Sequence, residues 1–329
     1  MKLANPRTLK RVPITVKSAP AKKLTVLWGG IALSLFMVSS LAMAATKDVK
    51  MVVTSAFVSD KGIGIYEDMA SYFSKKLGWN VEVVSGLSYA ESDDMLDKGV
   101  IQVGYVCGLP YTHKKAEGKY DLLAMPVMSM KKGTYPDANG YEDIPGKYYS
   151  YTIVRKGSPI SSWEGLKGKS YAYNDQGSNS GYNMPRYKLV QMGKKSWEEQ
   201  FSKVVVSGTH EESIRLVSKG IVDASSVDSL VLDYDRSIGD LDALNVKIIE
   251  SLHLGGAGAP PVVISKKADP EIRDALRKAL LDMHKDADGQ KILEKALVSH
   301  FAAPDDSNYN DIRRMEKAAH DAEFIDHQE

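Results

Sequence analysis

The segment of this chain best suited to chemistry is a run of glycine, hydroxyl and amide residues at positions 175–187. It stands between a strand-like stretch and a helix-like stretch, as expected for a turn that opens a helix. The first backbone N–H groups of a helix have no partner within it and lie at the positive end of its dipole, so they bind anions. Ser178, Asn179 and Ser180 add side-chain donors. The segment predicts an anion site, with an ordinary helix cap as the competing interpretation.

The run 177–181 also resembles the nucleophile elbow of serine hydrolases, G-x-S-x-G. Asn179 occupies its central position, and an amide cannot serve as the acyl-transfer nucleophile. A secreted hydrolase would therefore depend on Ser178 or Ser180, with His210 as the base. We keep this hydrolase as the alternative from another class, and we expect a protein that is not an enzyme and has no catalytic residues.

Neither a nucleotide site nor a metal site is indicated by residue spacing. The run 168–170 ends like a phosphate-binding P-loop, but the motif requires glycine where Trp163 stands. The seven histidines are scattered, and the H-E-x-x-H pattern of zinc enzymes does not occur. We expect no metal and no cofactor.

The first 44 residues have the pattern of an export signal. Seven lysines and arginines without any acid precede an uncharged apolar run from Leu24 to Ala44, which ends in small residues. This predicts a signal peptide at 1–44 and a periplasmic protein, although an apolar run of 21 residues is also long enough for an uncleaved anchor. Because Cys107 is the only cysteine, no cysteine stands at the cleavage point and a lipoprotein is excluded.

Removal of this leader changes the charge of the protein. The remaining chain has 36 basic and 42 acidic residues, so it is acidic, and its lysines and arginines are not clustered as in nucleic-acid-binding proteins. An anion must then be held by backbone and hydroxyl donors. We expect a monomer that binds no nucleic acid, in which the lone Cys107 is a small buried residue.

Strand-like and helix-like patterns alternate along the chain from residue 49, and a length of 329 residues predicts about two domains. This alternation predicts an α/β fold with mainly parallel sheets flanked by helices, in two lobes with a ligand cleft between them. Residues 131–147, rich in glycine, proline, aspartate and lysine, are predicted to form a surface loop. We assign 48–150 and 255–329 to the first lobe and 151–254 to the second. The predicted strands are 49–54, 80–84, 100–106, 148–155, 169–173, 203–206, 221–225 and 260–264, and the predicted helices are 65–77, 88–98, 187–192, 210–219 and 270–283.

A set of landmarks in fixed order resembles one known family. The chain is similar over 48–300 to the periplasmic solute-binding proteins of phosphate, phosphite and phosphonate ABC transporters, the PhnD-like branch of the type II periplasmic binding proteins. The landmarks are the runs 103–111, 153–160, 163–169, 177–182, 207–211 and 222–224. The fourth of them resembles the family's G-S-T-S-G-[FY] loop.

The resemblance implies a clamp that closes on a small tetrahedral oxyanion and presents it to an inner-membrane permease. The residues that it places at the ligand are Tyr89, Tyr105 or its neighbour Val106, Ser178, Asn179, Ser180, Gly181, Tyr182, His210 and Asp228. Three of these have simpler interpretations. Tyr89 is also typical of an aromatic residue that packs at a helix start, and His210 and Asp228 are also typical of helix caps.

Two departures from the family pattern bear on the ligand. Asn179 stands where the family has threonine, which exchanges a hydroxyl for an amide. The run 255–261 lacks the acid that aminophosphonate binders use, so a plain oxyanion is expected rather than one with a cationic amine. Asp228 is suited to accept a hydrogen bond from a protonated ligand or a ligand amine. Other anions, such as an organosulfonate or a carboxylate, and a sensory role remain the alternatives.

Overall fold

The computed structural model describes residues 46–54, 60–129, 148–252 and 258–326. The predicted leader and the predicted loop at 131–147 lie outside the described residues. Within the described part, no helix has the length and apolar character needed to span a membrane. The described chain belongs to one compact unit that begins at Ala45.

Strands and helices alternate as the sequence predicts. The strands are β1 (Asp48–Val53), β2 (Asn80–Val84), β3 (Val103–Tyr105), β4 (Tyr120–Met128), β5 (Ser150–Arg155), β6 (Ser170–Tyr173), β7 (Lys203–Val206), β8 (Ala224–Asp228), β9 (Val246–Leu252), β10 (Val262–Ser265) and β11 (Val298–Ala302). The helices are α1 (Ile63–Leu77), α2 (Tyr89–Lys98), α3 (Gly108–Ala116), α4 (Met184–Gln191), α5 (His210–Ser218), α6 (Ser229–Ser237), α7 (Leu241–Leu244), α8 (Pro270–Asp282), α9 (Ala287–Lys295) and α10 (Asn310–Asp321).

The strands form two sheets, one in each lobe. The first lobe contains a six-stranded sheet in the order β11-β4-β10-β3-β1-β2, and the second contains a five-stranded sheet in the order β7-β6-β8-β5-β9. The chain crosses between the lobes after β4 and returns after β9. The two-lobed α/β fold predicted from the sequence is confirmed.

Both sheets are mixed, and most strands of each sheet run in the same direction, in agreement with the predicted fold class. In the first lobe β1 is parallel to β2 and β3, whereas β10 is antiparallel to β3 and β4. In the second lobe β6 is parallel to β7 and β8, whereas β5 is antiparallel to β8 and β9. Strands β5 and β10 are the first that the chain enters after crossing between lobes. Each of these two strands therefore runs away from the sheet edge at which the chain crosses. The strands that lead to a crossing run towards that edge, in the opposite direction.

Most predicted elements match the structure within a few residues, and one strand is displaced. The strand predicted at 221–225 begins at Ala224 and continues to Asp228. Ile221 is 56% exposed, so the apolar residues that suggested an earlier start belong to the preceding turn. The displacement matters because it places Asp228 at the carboxyl end of a buried strand.

The C-terminal helix α10 lies against elements of both lobes. Asn183 Nδ2 of the second lobe donates to the backbone oxygen of Ile312 in α10 at 3.3 Å, while His113 Nε2 of α3 lies 2.6 Å from Glu316 Oε1. Beyond α10, the ring of Phe324 packs edge-on against Trp197 with centroids 6.0 Å apart. The sequence-based division assigned all of 255–329 to the first lobe, but this end of the chain contacts the second lobe as well.

Candidate anion-binding site

The polar segment folds as a turn that opens a helix, as predicted. After β6 the chain turns at Ser178, continues through a π-helical turn, Asn179–Asn183, and then enters α4. Ser178 caps this turn, since its Oγ accepts a hydrogen bond from Gly181 N at 2.9 Å. The side chains from Ser178 to Asn183 are buried.

Three helix starts meet at this edge of the second sheet. They are capped by Ser178 before the π-helical turn, Thr209 before α5 and Asp228 before α6. They meet because β6, β7 and β8 run in the same direction, and the carboxyl ends of parallel strands share one edge of a sheet. Backbone N–H groups and partial positive charge are thereby concentrated at one place.

Asp228 connects the polar turn to α6. Ser180 Oγ donates to Asp228 Oδ2 at 3.1 Å, and Leu230 N donates to Oδ1 at 2.9 Å. The carboxyl is fully buried, and burial raises the pKa of Asp228 from 3.8 to about 8 although these hydrogen bonds oppose the rise. Asp228 is therefore mostly protonated at neutral pH, and a protonated carboxyl donates a hydrogen bond to an anion.

His210 is a buried neutral imidazole at the centre of the three helix starts. Its Nδ1 accepts from Asp228 N at 3.2 Å, so its proton is on Nε2. Nε2 lies 3.2 Å from the side-chain amide of Asn174 and 3.5 Å from Ser178 Oγ. Burial lowers the pKa of His210 to about 3. The interpretation of His210 as a surface cap is wrong, because only 1% of the residue is exposed.

The first lobe contacts the polar turn through Cys107 and Tyr89. Cys107 Sγ accepts a hydrogen bond from Asn179 N at 3.2 Å. Tyr89 begins α2 and is 9% exposed. A methyl group at Gly177 would lie 3.4 Å from Tyr89 Cδ1, so the tyrosine packs against the turn from the opposite lobe. Cys107 is buried, as predicted, and burial raises the pKa of its thiol to about 11.

The amide of Asn179 is used within the protein. Its Nδ2 donates to Tyr148 Oη at 2.7 Å, and its Oδ1 accepts from Asn183 Nδ2 at 3.0 Å. Ser150 Oγ also donates to the backbone oxygen of Ser180 at 2.5 Å. The residue that replaces the family's threonine thus fixes the turn to the segment that enters β5.

Two predicted site residues direct their side chains elsewhere. Tyr105 lies in the core of the first lobe, where its hydroxyl is 3.5 Å from Met69 Sδ of α1 and its ring packs against Tyr66. The ring of Tyr182 lies 5.2 Å from that of Tyr173, among the aromatic residues under the second sheet. Tyr182 follows the cap by four positions, so it lies on the core side of the turn and brings only its backbone to the site. Val106, the alternative to Tyr105, is buried and donates its backbone N–H to Pro261 O at 3.1 Å.

Sequence reasoning missed the residues that hold the turn from outside it. These are Asn174, Cys107, Tyr148 and Ser150. Asn174 directly follows β6, which is a usable signal, because residues at the carboxyl ends of parallel strands often line a site. The other three lie about 30 to 70 positions from their partners, and no local pattern indicates the contact.

Two mixed α/β lobes, with helix starts of one lobe facing the other, define a two-lobed solute-binding protein. The chain belongs to the family described as "ABC transporter, phosphonate, periplasmic substrate-binding protein", whose profile matches residues 51–309. This family supplies the substrate-binding components of ABC transporters, which work with a small ligand and a membrane permease.

Solved structures show the same fold. A binding protein component of an ABC phosphonate transporter from Pseudomonas aeruginosa superposes with a TM-score of 0.73 at 19% identity, covering 84% of this chain and 88% of that one. PhnD1 from Prochlorococcus marinus, in complex with methylphosphonate, gives 0.66 at 17% identity, covering 82% and 97%. The periplasmic aliphatic sulphonate binding protein SsuA from Escherichia coli gives 0.52 at 14% identity, covering 84% and 86%.

Proposed function

We propose that this protein captures a small tetrahedral oxyanion of the phosphonate, phosphite or phosphate type and presents it to a permease. The observation that carries the proposal is the meeting of three helix starts at Ser178, His210 and Asp228, closed from the other lobe by Tyr89 and Cys107. Backbone donors at helix starts suit phosphoryl oxygens without requiring a basic side chain.

The protonation states at the site favour an anion. His210 is neutral with its proton on Nε2, and Asp228 is mostly protonated at neutral pH. Ser178 is therefore able to direct its O–H group towards an oxyanion, and the hydrogen-bonded pair of Ser180 and protonated Asp228 is able to direct one more. We assign the ligand to Tyr89, Ser178, Ser180, Gly181, His210 and Asp228, with Asn179 and Tyr182 contributing through the backbone of the turn.

Binding requires the lobes to separate and close. The polar turn is buried in this arrangement, so an anion reaches it only when the first lobe moves away. A ligand that contacts both lobes stabilises the closed state relative to the open one, and the closed state is then the form offered to the permease.

The cellular setting forms part of the same proposal. We propose that residues 1–44 are a cleaved signal peptide, that no lipid is attached, and that the mature protein is a periplasmic monomer without nucleic-acid partners, cofactor or catalytic activity. We also propose the division into a first lobe at 48–150 and 255–329 and a second at 151–254, with α10 contacting both.

Thermal shift and calorimetry with a panel of anions test the proposal. Phosphate, phosphite or methylphosphonate should raise the melting temperature, with methanesulfonate and acetate as competitors of other chemistry. Stabilisation by methanesulfonate or acetate alone would assign the site to another anion. Absence of any shift, together with ester cleavage that depends on Ser180, would replace the transport function with a hydrolase.

A further inference from the structure

Lys61 joins the two lobes at a place distant in sequence from the polar turn. It belongs to a short 3-10 turn, Asp60–Gly62, which leads into α1 of the first lobe. Its ammonium lies 2.7 Å from Asp240 Oδ2 and 3.3 Å from Asp235 Oδ2. Both acids belong to the second lobe, at the end of α6 and the start of α7.

The backbone of the second lobe holds the Asp240 carboxylate in place and ties Asp240 to Asp235. Asp240 caps α7, since its Oδ1 accepts from Ala243 N at 2.9 Å and leaves Oδ2 for Lys61. Asp240 N in turn donates to the backbone oxygen of Asp235 at 2.9 Å. The Asp235 side chain is only 1% exposed, whereas exposure is 20% for Asp240 and 43% for Lys61. One lysine of the first lobe thus forms ion pairs with two neighbouring acids of the second.

This arrangement differs from the exposed ion pairs elsewhere on the protein. Lys75 and Asp288 form such a pair within the first lobe, with side chains 78% and 61% exposed. Exposed pairs contribute little to stability because water and salt screen them. A pair with a buried member is screened much less, and separating the lobes would withdraw Lys61 from both acids.

We propose that Lys61 is an affinity-determining residue outside the anion site, which holds the lobes closed by bridging Asp235 and Asp240. Burial opposes the change, but the two carboxylates raise the pKa of Lys61, and Lys61 lowers the pKa of Asp240. Both pKa shifts favour the charged forms of Lys61 and Asp240. The effect on affinity rests on the proposed function, whereas the effect on lobe opening does not.

Lobe opening is measured on the ligand-free protein by the reaction of Cys107 with an uncharged maleimide. Cys107 is the only thiol in the chain and is buried between the lobes, so its labelling rate reports opening. We expect Lys61→Gln to label about three- to tenfold faster than the wild type. Lys75→Gln, the matched control, should label at the wild-type rate.

Asp240→Asn provides a second variant that preserves the fold, because asparagine also caps helices. It should reproduce the faster labelling, and the double variant with Lys61→Gln should label no faster than Lys61→Gln alone. Equal labelling of the wild type, Lys61→Gln and Asp240→Asn would overturn the proposal, as would an additive effect of the two changes.

Affinity is then measured with whichever of phosphate, phosphite and methylphosphonate stabilises the protein. Lys61→Gln should dissociate the anion about three- to tenfold faster, in parallel with labelling. If labelling changes as expected but no oxyanion binds, the bridge stands and the proposed function fails. If an oxyanion binds with unchanged dissociation in Lys61→Gln, the proposed function stands and the bridge is refuted.

Discussion

The two edges that face each other across the cleft differ in their chemistry. The second lobe presents Ser178, Thr209 and Asp228 as caps of three helix starts, with hydroxyl and carboxyl groups at the centre. The first lobe presents an aromatic ring and a thiol, from Tyr89 and Cys107. Under the proposed function, one lobe recognises the anion and the other covers it. Changes on the second lobe should alter affinity directly, and changes on the first should alter the closed fraction.

The largest effect is expected at Gly181 of the second lobe. A methyl group there would overlap Asn174 Oδ1, and Asn174 is buried beside His210. Gly181→Ala should abolish measurable anion binding and cost about 1 to 3 kcal/mol of folding free energy through overpacking. Calorimetry and urea denaturation measure the two effects. Gly157→Ala is the matched control, because a methyl group there meets no atom within 4 Å. Retention of binding by Gly181→Ala would show that the turn is not the site.

Ser180 tests whether recognition belongs to the second lobe. Ser180→Ala removes the hydroxyl that bonds to Asp228 and should weaken oxyanion binding by about 1 to 3 kcal/mol, or roughly 5- to 150-fold. Ser237→Ala, at an exposed position of the same lobe, should bind as the wild type does. Calorimetry with the stabilising anion measures the affinity of both variants and of the wild type. An unchanged affinity in Ser180→Ala would remove this residue from the site.

Asp228 makes the second lobe sensitive to pH. The pKa of Asp228 rises from 3.8 to about 8 on folding, so its contribution to stability is complete at low pH and is lost as pH rises towards 8. The pKa of His210 falls from 6.5 to about 3, so its contribution is lost as pH falls below 6.5. The two slopes oppose each other between about 4 and 6.5, and only that of Asp228 remains from 6.5 to 8.

Asp228→Asn removes the pH dependence of stability that arises from Asp228. Between pH 6.5 and 8 the wild type should lose up to about 2 kcal/mol of stability relative to Asp228→Asn. Anion affinity of the wild type should also fall above pH 8, because the ionised carboxylate repels the ligand, while that of the variant should stay flat. Denaturation and calorimetry across this pH range measure both quantities. Parallel pH profiles for the two proteins would contradict a protonated Asp228.

The smallest effect is expected on the first lobe, at Cys107. A saturating oxyanion should slow maleimide labelling in proportion to the bound fraction, since ligand holds the lobes closed over the thiol. Denatured protein, which exposes the same thiol, gives the reference rate. Labelling that is indifferent to a bound anion would mean that Cys107 does not report closure, and that the two edges do not meet around the ligand.

Local pattern was sufficient for most of the fold. The helix predicted at 65–77 and the strand predicted at 203–206 are confirmed as α1 and β7. Periodic burial and helix starts are properties of neighbouring residues, which explains this success. The sequence did not single out β5 and β10 as antiparallel strands, because they owe their orientation to the path of the chain between lobes.

The site residues also divide into those that local sequence predicted and those that it did not. The hydroxyl and glycine residues of the turn, together with its place after a strand, predicted a helix start suited to an anion. Tyr105 and Tyr182 were assigned to the ligand by resemblance, and the structure directs both side chains into cores. Whether a tyrosine faces a cleft or a core depends on the neighbouring elements, which one sequence does not reveal.

The sequence by itself determined an exported-type leader pattern, an alternation of strands and helices, and a polar turn that opens a helix, because each depends on residues close together in the chain. The tertiary structure decided that His210 is buried, that burial raises the pKa of Asp228 and lowers that of His210, and that Cys107 and Lys61 reach across to the second lobe. Those properties arise from desolvation and from contacts between residues far apart in sequence. They exist only once both lobes are packed together.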